Sequence, residues 1–307
     1  MKTVYWKFCF GLIILVFIIF KIDLNQASAI LQQVSWKNFL TVLYVYLLSK
    51  TLSAYKWAII SNHIGFTCTV SQYLRLYFQG MFYNQFLPTG IGGDIIKGYF
   101  LYQHDKNHLK PDYAAATILF DRLSGIFVLL TLLLPGCLLH FKQLPVLVSY
   151  IMLAAIGGAA VCAMLIACLS YRRKIFKNKL INRILFLTSL YLDKTFFKIF
   201  AISLVFHFMA LIIHTLIGWD LNLKVTQSYY LILYPATAIL ASLPISLNGL
   251  GIREWAYVFF LGLSGIASPA AFVFALYWGL ILLAASLTGA IFLINWNKNE
   301  ISNETPK

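Results

Sequence analysis

The chain has 307 residues, of which 61% are hydrophobic and only 11% charged, with a mean hydropathy of +0.80. That balance excludes an ordinary soluble domain and a disordered segment, and it fits a polytopic membrane protein. The formal charge of +14 is therefore read as loop charge that sets orientation and attracts anionic headgroups, with no nucleic-acid partner expected.

In chain order, the first apolar run covers residues 8–20, after Lys2 and Lys7. Ala27-Ser-Ala29 resembles a signal-peptide cleavage site, but Lys21 and Asp23 intrude before it, so the run is read as a retained first helix. A second span is expected at 38–60, carrying Lys50 and Lys56 toward one end, followed by a loop or interfacial helix at 63–75. Next comes an apolar stretch broken by Pro88, Gly90, Gly92 and Gly93 and charged at Asp94 and Lys97. Proline lacks an amide donor and glycine favours irregular backbone, so this stretch predicts a re-entrant hairpin at about 76–100 that lines a polar cavity.

A third span is expected at 113–134, ended by Pro135-Gly136, and a fourth at 146–169. Residues 171–198 hold Arg172, Arg173, Lys174, Lys177, Lys179, Arg183, Lys194 and Lys198 against one acid, Asp193, which predicts a cytoplasmic loop. A fifth span at 199–219 precedes a second broken hairpin at about 229–263 and a last span at 271–296, with a polar tail at 297–307. Five cysteines (Cys9, Cys68, Cys137, Cys162, Cys168) include no Cys-x-x-Cys pair and read as small apolar residues.

These elements predict an all-α membrane protein with about six full spans and two Pro/Gly-broken hairpins. A first repeat occupies 1–140, the fourth span and basic loop 141–198, and the matching elements 199–296. With the basic loop inside, both termini are expected inside and the hairpins enter from opposite sides, either re-entrant or as thin complete spans. Three full spans per half make the repeat inverted, the plan of alternating-access transporters.

Aligning Pro88 with Pro244 puts Gly93 opposite Gly249 and Lys97 opposite Arg253. Charges inside such segments are costly without a role, so the candidate site gathers Asn84, Pro88, Gly92, Gly93, Asp94, Lys97, Asp121, Arg122, Pro244, Asn248, Gly249, Gly251, Arg253 and Glu254. Arg253 is the leading candidate for an anionic headgroup, because backbone amides after Asn248 can converge at a helix start. Arg122 suits a phosphate or a partner carboxylate such as Asp94. Asn84 and Gln85 suit either a cavity lining or hairpin caps.

His207 and His214 share nearly one helical face and suit proton transfer or helix-to-helix hydrogen bonds, the commoner use. His104 and His108, near Asp105 and Asp112, superficially suit a metal but read as a solvated loop. No catalytic motif, metal site or cofactor is expected.

At the two broken stretches the sequence resembles the lysylphosphatidylglycerol synthase/flippase transmembrane family, the membrane part of the bacterial multiple peptide resistance factor together with its stand-alone relatives. The matching pieces are Asn84-x-x-Leu-Pro88, Gly92-Gly-Asp94 with Lys97, Asp121-Arg-Leu-x-Gly125, and Leu243-Pro-x-Ser through Gly249-Leu-Gly-x-Arg-Glu254. Family members often carry arginine at Lys97 and glutamate at Asp121, and both changes keep the charge. The soluble aminoacyl-transferase domain of full-length synthases is not expected after the last span.

The resemblance implies lipid translocation: a flippase-like transporter moving an anionic phospholipid or polyprenyl phosphate across a bacterial inner membrane, without enzymatic activity. Two alternatives stay open: a membrane-embedded lipid or polyprenyl-phosphate transferase, and a lipid-presenting subunit of a glycosyltransferase or synthase. A homo-oligomer or a partner enzyme is compatible with each.

Overall fold

The computed structural model describes residues 2–87, 92–105, 109–171, 194–243, 245–246 and 248–294. Among them the chain is helical, with one 3-10 turn and no strand. The helices are α1 (Lys2–Lys21), α2 (Leu24–Gln32), α3 (Trp36–Ile64), α4 (Val70–Phe86), α5 (Gly92–His104), α6 (Pro111–Leu139), α7 (Val146–Tyr171), α8 (Lys194–Asp220), α9 (Tyr230–Ser242), α10 (Ile252–Leu263) and α11 (Ser268–Ile294).

Three of them, Pro111–Leu139, Lys194–Asp220 and Ser268–Leu293, are long and apolar enough to cross a membrane. The first apolar run ends in a sharp bend, Phe8–Lys21 meeting Leu24–Gln32 at 93°. Asp23 makes that bend by capping α2, accepting from the amides of Asn25 (2.9 Å) and Gln26 (3.1 Å). Ala27, in the cleavage-like motif, is buried in the main core cluster. Helix α3 has 29 residues, enough for about 43 Å at ~1.5 Å per residue, but it carries Lys37, Lys50 and Lys56 and is less apolar than those three. The membrane class expected from composition is therefore shown by three spans, or four with the bent pair.

Two boundaries differ from the sequence reading. The first hairpin starts earlier than expected, because Thr69 and Gln72 form a capping box that opens α4 at Val70. And α6 runs through Pro135 to Leu139. Proline inside a membrane helix is tolerated where neighbouring helices pack closely, and here α6 packs along α9. A Cβ on Gly136 would stand 2.8 Å from the Leu231 carbonyl carbon, so glycine allows backbone contact at that crossing.

Helix packing repeats between α1–α6 and α7–α11. The packing of α4 on α11 is matched by α9 on α6, α5 on α6 by α10 on α11, α3 on α4 by α8 on α9, and α2 on α11 by α7 on α6. The close approach at Gly136 has its own counterpart, since a Cβ on Gly289 of α11 would overlap the Phe78 carbonyl of α4.

The equivalent helices α3 and α8 run antiparallel. The start of α3 meets the end of α8 where Asp220 accepts from the Ser35 amide (3.4 Å) and Asn38 Nδ2 (2.6 Å). Their middles meet where the Lys50 ammonium lies 4.9 Å from the Phe206 ring centroid. Ile199, near the start of α8, packs in one cluster with Trp57 and Ile60 near the end of α3. Two helices that hold matching places in the packing thus run in opposite directions.

Candidate functional site

The two hairpins meet at their tips, where Asn248 Nδ2 donates to Gln85 Oε1 at 2.8 Å. Beside this contact lies a cavity of about 260 Å³. Helix α3 contributes Tyr46 and Lys50, α4 contributes Tyr77, Asn84 and Gln85, and α5 contributes Asp94 and Lys97. Asp121 and Arg122 come from α6, while the second half adds Asn248, Leu282 and Ser286. Seven of the lining residues are thus ones that sequence reasoning singled out.

Close hairpin packing holds this geometry. A Cβ on Gly93 would overlap the Gly80 carbonyl, so α4 and α5 touch backbone to backbone. Asn84 Oδ1 then accepts from the Gly93 amide at 2.9 Å, a cap across the hairpin. Gly92 and Gly93 are helical, contrary to the irregular backbone expected of them. For Gly93 the value is the missing side chain, not a positive φ. Pro88 and Pro244 lie outside the described residues.

The charges form an alternating chain. Lys56 Nζ lies 2.9 Å from Asp121 Oδ1 and donates to Ser124 Oγ and the Asp121 carbonyl, both at 3.1 Å. Lys97 Nζ lies 3.7 Å from Asp121 Oδ2 and 3.7 Å from Asp94 Oδ1. The Lys97 ammonium also stands 4.4 Å from the Trp57 ring centroid and 4.6 Å from that of Tyr77. Arg122 closes the chain by donating to Asp94 Oδ2, one of the two partners expected of it. Lys56, Lys97 and Asp121 are buried, whereas the Arg122 side chain is 40% exposed. Taking charges out of water is tolerated because every carboxylate in the chain faces a cation.

Arg253 and Glu254 stand apart. Neither lines the cavity. Arg253 Nη2 and Nε donate to Glu254 Oε1 at 2.6 and 3.0 Å, and Glu254 Oε2 accepts from the Gly251 amide at 2.6 Å. The amide expected to receive an anion is therefore occupied by the helix's own cap.

The match of Lys97 with Arg253 also fails in three dimensions. Gly92 and Gly93 are already helical, while their counterparts Asn248 (φ 47°) and Gly249 (φ 77°), with Gly251 (φ 79°), form an irregular turn before α10. Lys97 consequently sits in the second turn of its helix and faces α3 and α6. Arg253 sits in the first turn of its own, against α11 at Gly279.

Sequence reading missed Lys50, Lys56, Tyr46 and Tyr77 as parts of this site. The available signal was two lysines within an otherwise apolar span. His207 Nδ1 contacts Tyr234 Oη at 2.7 Å and His214 Nε2 contacts Tyr257 Oη at 2.6 Å, the helix-to-helix use of both rings.

A second cluster brings one ligand atom each from Cys68, His104 and Asp105 within 4.8 Å of one another. His108 lies outside the described residues. Asp105 spends its oxygens on the Thr67 amide (2.9 Å) and hydroxyl (3.0 Å), fixing the loop between α3 and α4. Burial, with the charge of Asp105, pushes the Cys68 thiol up to about 12, which opposes thiolate ligation.

The family model described as the lysylphosphatidylglycerol synthase TM region matches residues 4–289. No curated protein matches the chain. With almost its whole length covered, and with Asn84, Asp94, Lys97, Asp121 and Arg122 of the resembling motifs lining the cavity, the chain belongs to the family of the lysylphosphatidylglycerol synthase transmembrane region.

Proposed function

We propose that this protein is a flippase-like transporter that moves an anionic phospholipid or related lipid, such as a polyprenyl phosphate, between the leaflets of a bacterial inner membrane. The observation that carries this reading is the placement of the polar cavity: between two broken hairpins, where two halves of opposite chain direction meet. Transporters of inverted repeats bind their substrates at such places, because rocking one half against the other opens the site to either side. The volume of about 260 Å³ is below the ~300–1,000 Å³ of sites that enclose drug-sized ligands. It suits a headgroup whose acyl chains remain in the bilayer.

In this reading the hairpins are re-entrant, the first from the cytoplasm and the second from the opposite face. Both termini are cytoplasmic, and the protein performs no covalent chemistry on the lipid.

The test is leaflet exchange of labelled anionic, zwitterionic and polyprenyl-phosphate lipids in proteoliposomes, with and without a proton gradient. Headgroup-selective exchange by the wild type, reduced at least tenfold in Asp94→Asn, is the expected result. Well-folded protein that exchanges no lipid under either condition would refute the transport reading.

A further inference from the structure

Resting on that reading, we infer that Lys50 is the anion-binding group of the cavity, and that the site takes a headgroup with a net negative phosphate and rejects one bearing two ammonium groups. The inference comes from which charges are already committed. Asp121 is held by Lys56 (2.9 Å) and Lys97 (3.7 Å), and Asp94 by Lys97 (3.7 Å) and Arg122. Each carboxylate that lines the cavity therefore already faces a cation, and none is left over to receive an ammonium group.

Lys50 lines the same cavity and makes no ion pair or hydrogen bond among the described residues. Its ammonium rests between two aromatic faces, 4.8 Å from the Tyr46 ring centroid and 4.9 Å from that of Phe206. Aromatic faces orient a cation and still leave its N–H groups to donate.

The count of charge agrees. Lys50, Lys56, Lys97 and Arg122 against Asp94 and Asp121 leave two positive charges in excess. One phosphodiester reduces that excess to one. A lysylphosphatidylglycerol headgroup, with one phosphate and two ammonium groups, raises it to three. Partial desolvation amplifies the difference, because the cavity walls are helix rather than water. Arg122, partly exposed at the far end of the charge chain, is placed to share the phosphate.

The experiment is displacement of acyl-labelled phosphatidylglycerol from the full chain in detergent. The competitors are phosphatidylglycerol, phosphatidylcholine, lysylphosphatidylglycerol and soluble glycerol phosphate. In the wild type, phosphatidylglycerol should outcompete the zwitterionic and lysylated lipids. Lys50→Gln should weaken its displacement by about 10- to 100-fold, the range lost with one charge-assisted contact, and Lys50→Arg should restore most of it.

Unfolding temperatures equal to wild type separate this loss from misfolding; if Lys50→Gln proves unstable, the wild-type ranking of competitors decides alone. Soluble glycerol phosphate competing as well as the lipid identifies free phosphate as the source of the anion, and the Lys50 dependence carries the assignment in that case too. Lysylphosphatidylglycerol competing as well as phosphatidylglycerol, or Lys50→Gln binding like wild type, overturns the inference. The transport reading is judged separately by leaflet exchange: a wild type that exchanges lipid without this selectivity sinks the Lys50 assignment and leaves transport standing.

Discussion

Replacing Asp121 with asparagine removes the one carboxylate that contacts both buried lysines. Lys97 keeps Asp94 at 3.7 Å and two aromatic faces. Lys56, 5% exposed, keeps only the Ser124 hydroxyl and the Asp121 backbone carbonyl, both at 3.1 Å. The cost therefore falls mainly on Lys56, as a buried cation without a counter-ion. Breaking one side of a buried pair costs about 3–5 kcal/mol. At ~2–4 °C per kcal/mol this lowers the unfolding midpoint by roughly 6–20 °C. Tryptophan fluorescence during heating in detergent measures it, and Trp57, packed beside Lys97, reports from the site itself. If the penalty is the orphaned ammonium, adding Lys56→Met must recover part of it, with a coupling of at least ~1 kcal/mol in the double-mutant cycle. A single variant within ~2 °C of wild type, or two effects that simply add, would refute the reasoning.

Two further outcomes follow from local packing. Gly93→Ala and Gly289→Ala each force backbone apart, at Gly80 and Phe78, and should cost about 1–3 kcal/mol or more. Gly157→Ala on α7, with nothing within 4 Å of the added carbon, should be neutral or slightly stabilising in the same unfolding assay. Cys68 offers a pH test. Burial, then Asp105, raise its thiol to about 12, so alkylation of folded protein at pH 8 should run about a thousandfold slower than for the unfolded chain. Because the folded value lies above the unfolded one, stability is unaffected below about pH 8 and falls as pH rises toward 12. Equal alkylation rates in the two states would show that the loop between α3 and α4 is open.

The membrane class, the helix pairs α4–α5 and α9–α10 and the partnership of Arg122 with Asp94 were legible because each leaves a local mark: apolar runs, interruptions between them, charges where lipid disfavours them. The packing role of Gly93 was not legible. A glycine needed for positive φ and one needed for helix contact look the same in sequence, and only the Gly80 carbonyl beside it separates them. The same limit misplaced Arg253. Motif spacing put it opposite Lys97, but four residues of irregular backbone before α10 rotate it onto Glu254 and α11. Lys50 and Lys56 were visible as charges in α3, yet Lys56 pairs with Asp121, 65 residues downstream on α6, and Lys50 packs on Phe206, 156 residues downstream on α8, separations no local pattern spans.

The charge chain belongs entirely to the first half, on α3, α5 and α6, while the second half closes the cavity with Asn248, Leu282 and Ser286. Rocking the halves apart therefore need not break any ion pair in the chain. At the hairpin tips it breaks the exposed hydrogen bond from Asn248 to Gln85, a neutral contact of 2.8 Å worth about 0.5–1.5 kcal/mol. In the proposed transport cycle such a contact is weak enough to open and reform with each turnover, so it is the expected gate. Joining positions 85 and 248 as cysteines, in a chain otherwise free of cysteine, with a short reducible crosslinker should stop lipid exchange. Reduction should restore it. The uncrosslinked double variant should exchange at least as fast as wild type, since it has lost the bond that holds the gate closed. Exchange at the wild-type rate with the tips crosslinked would show that the lipid crosses without the hairpins parting, and would place the moving interface elsewhere.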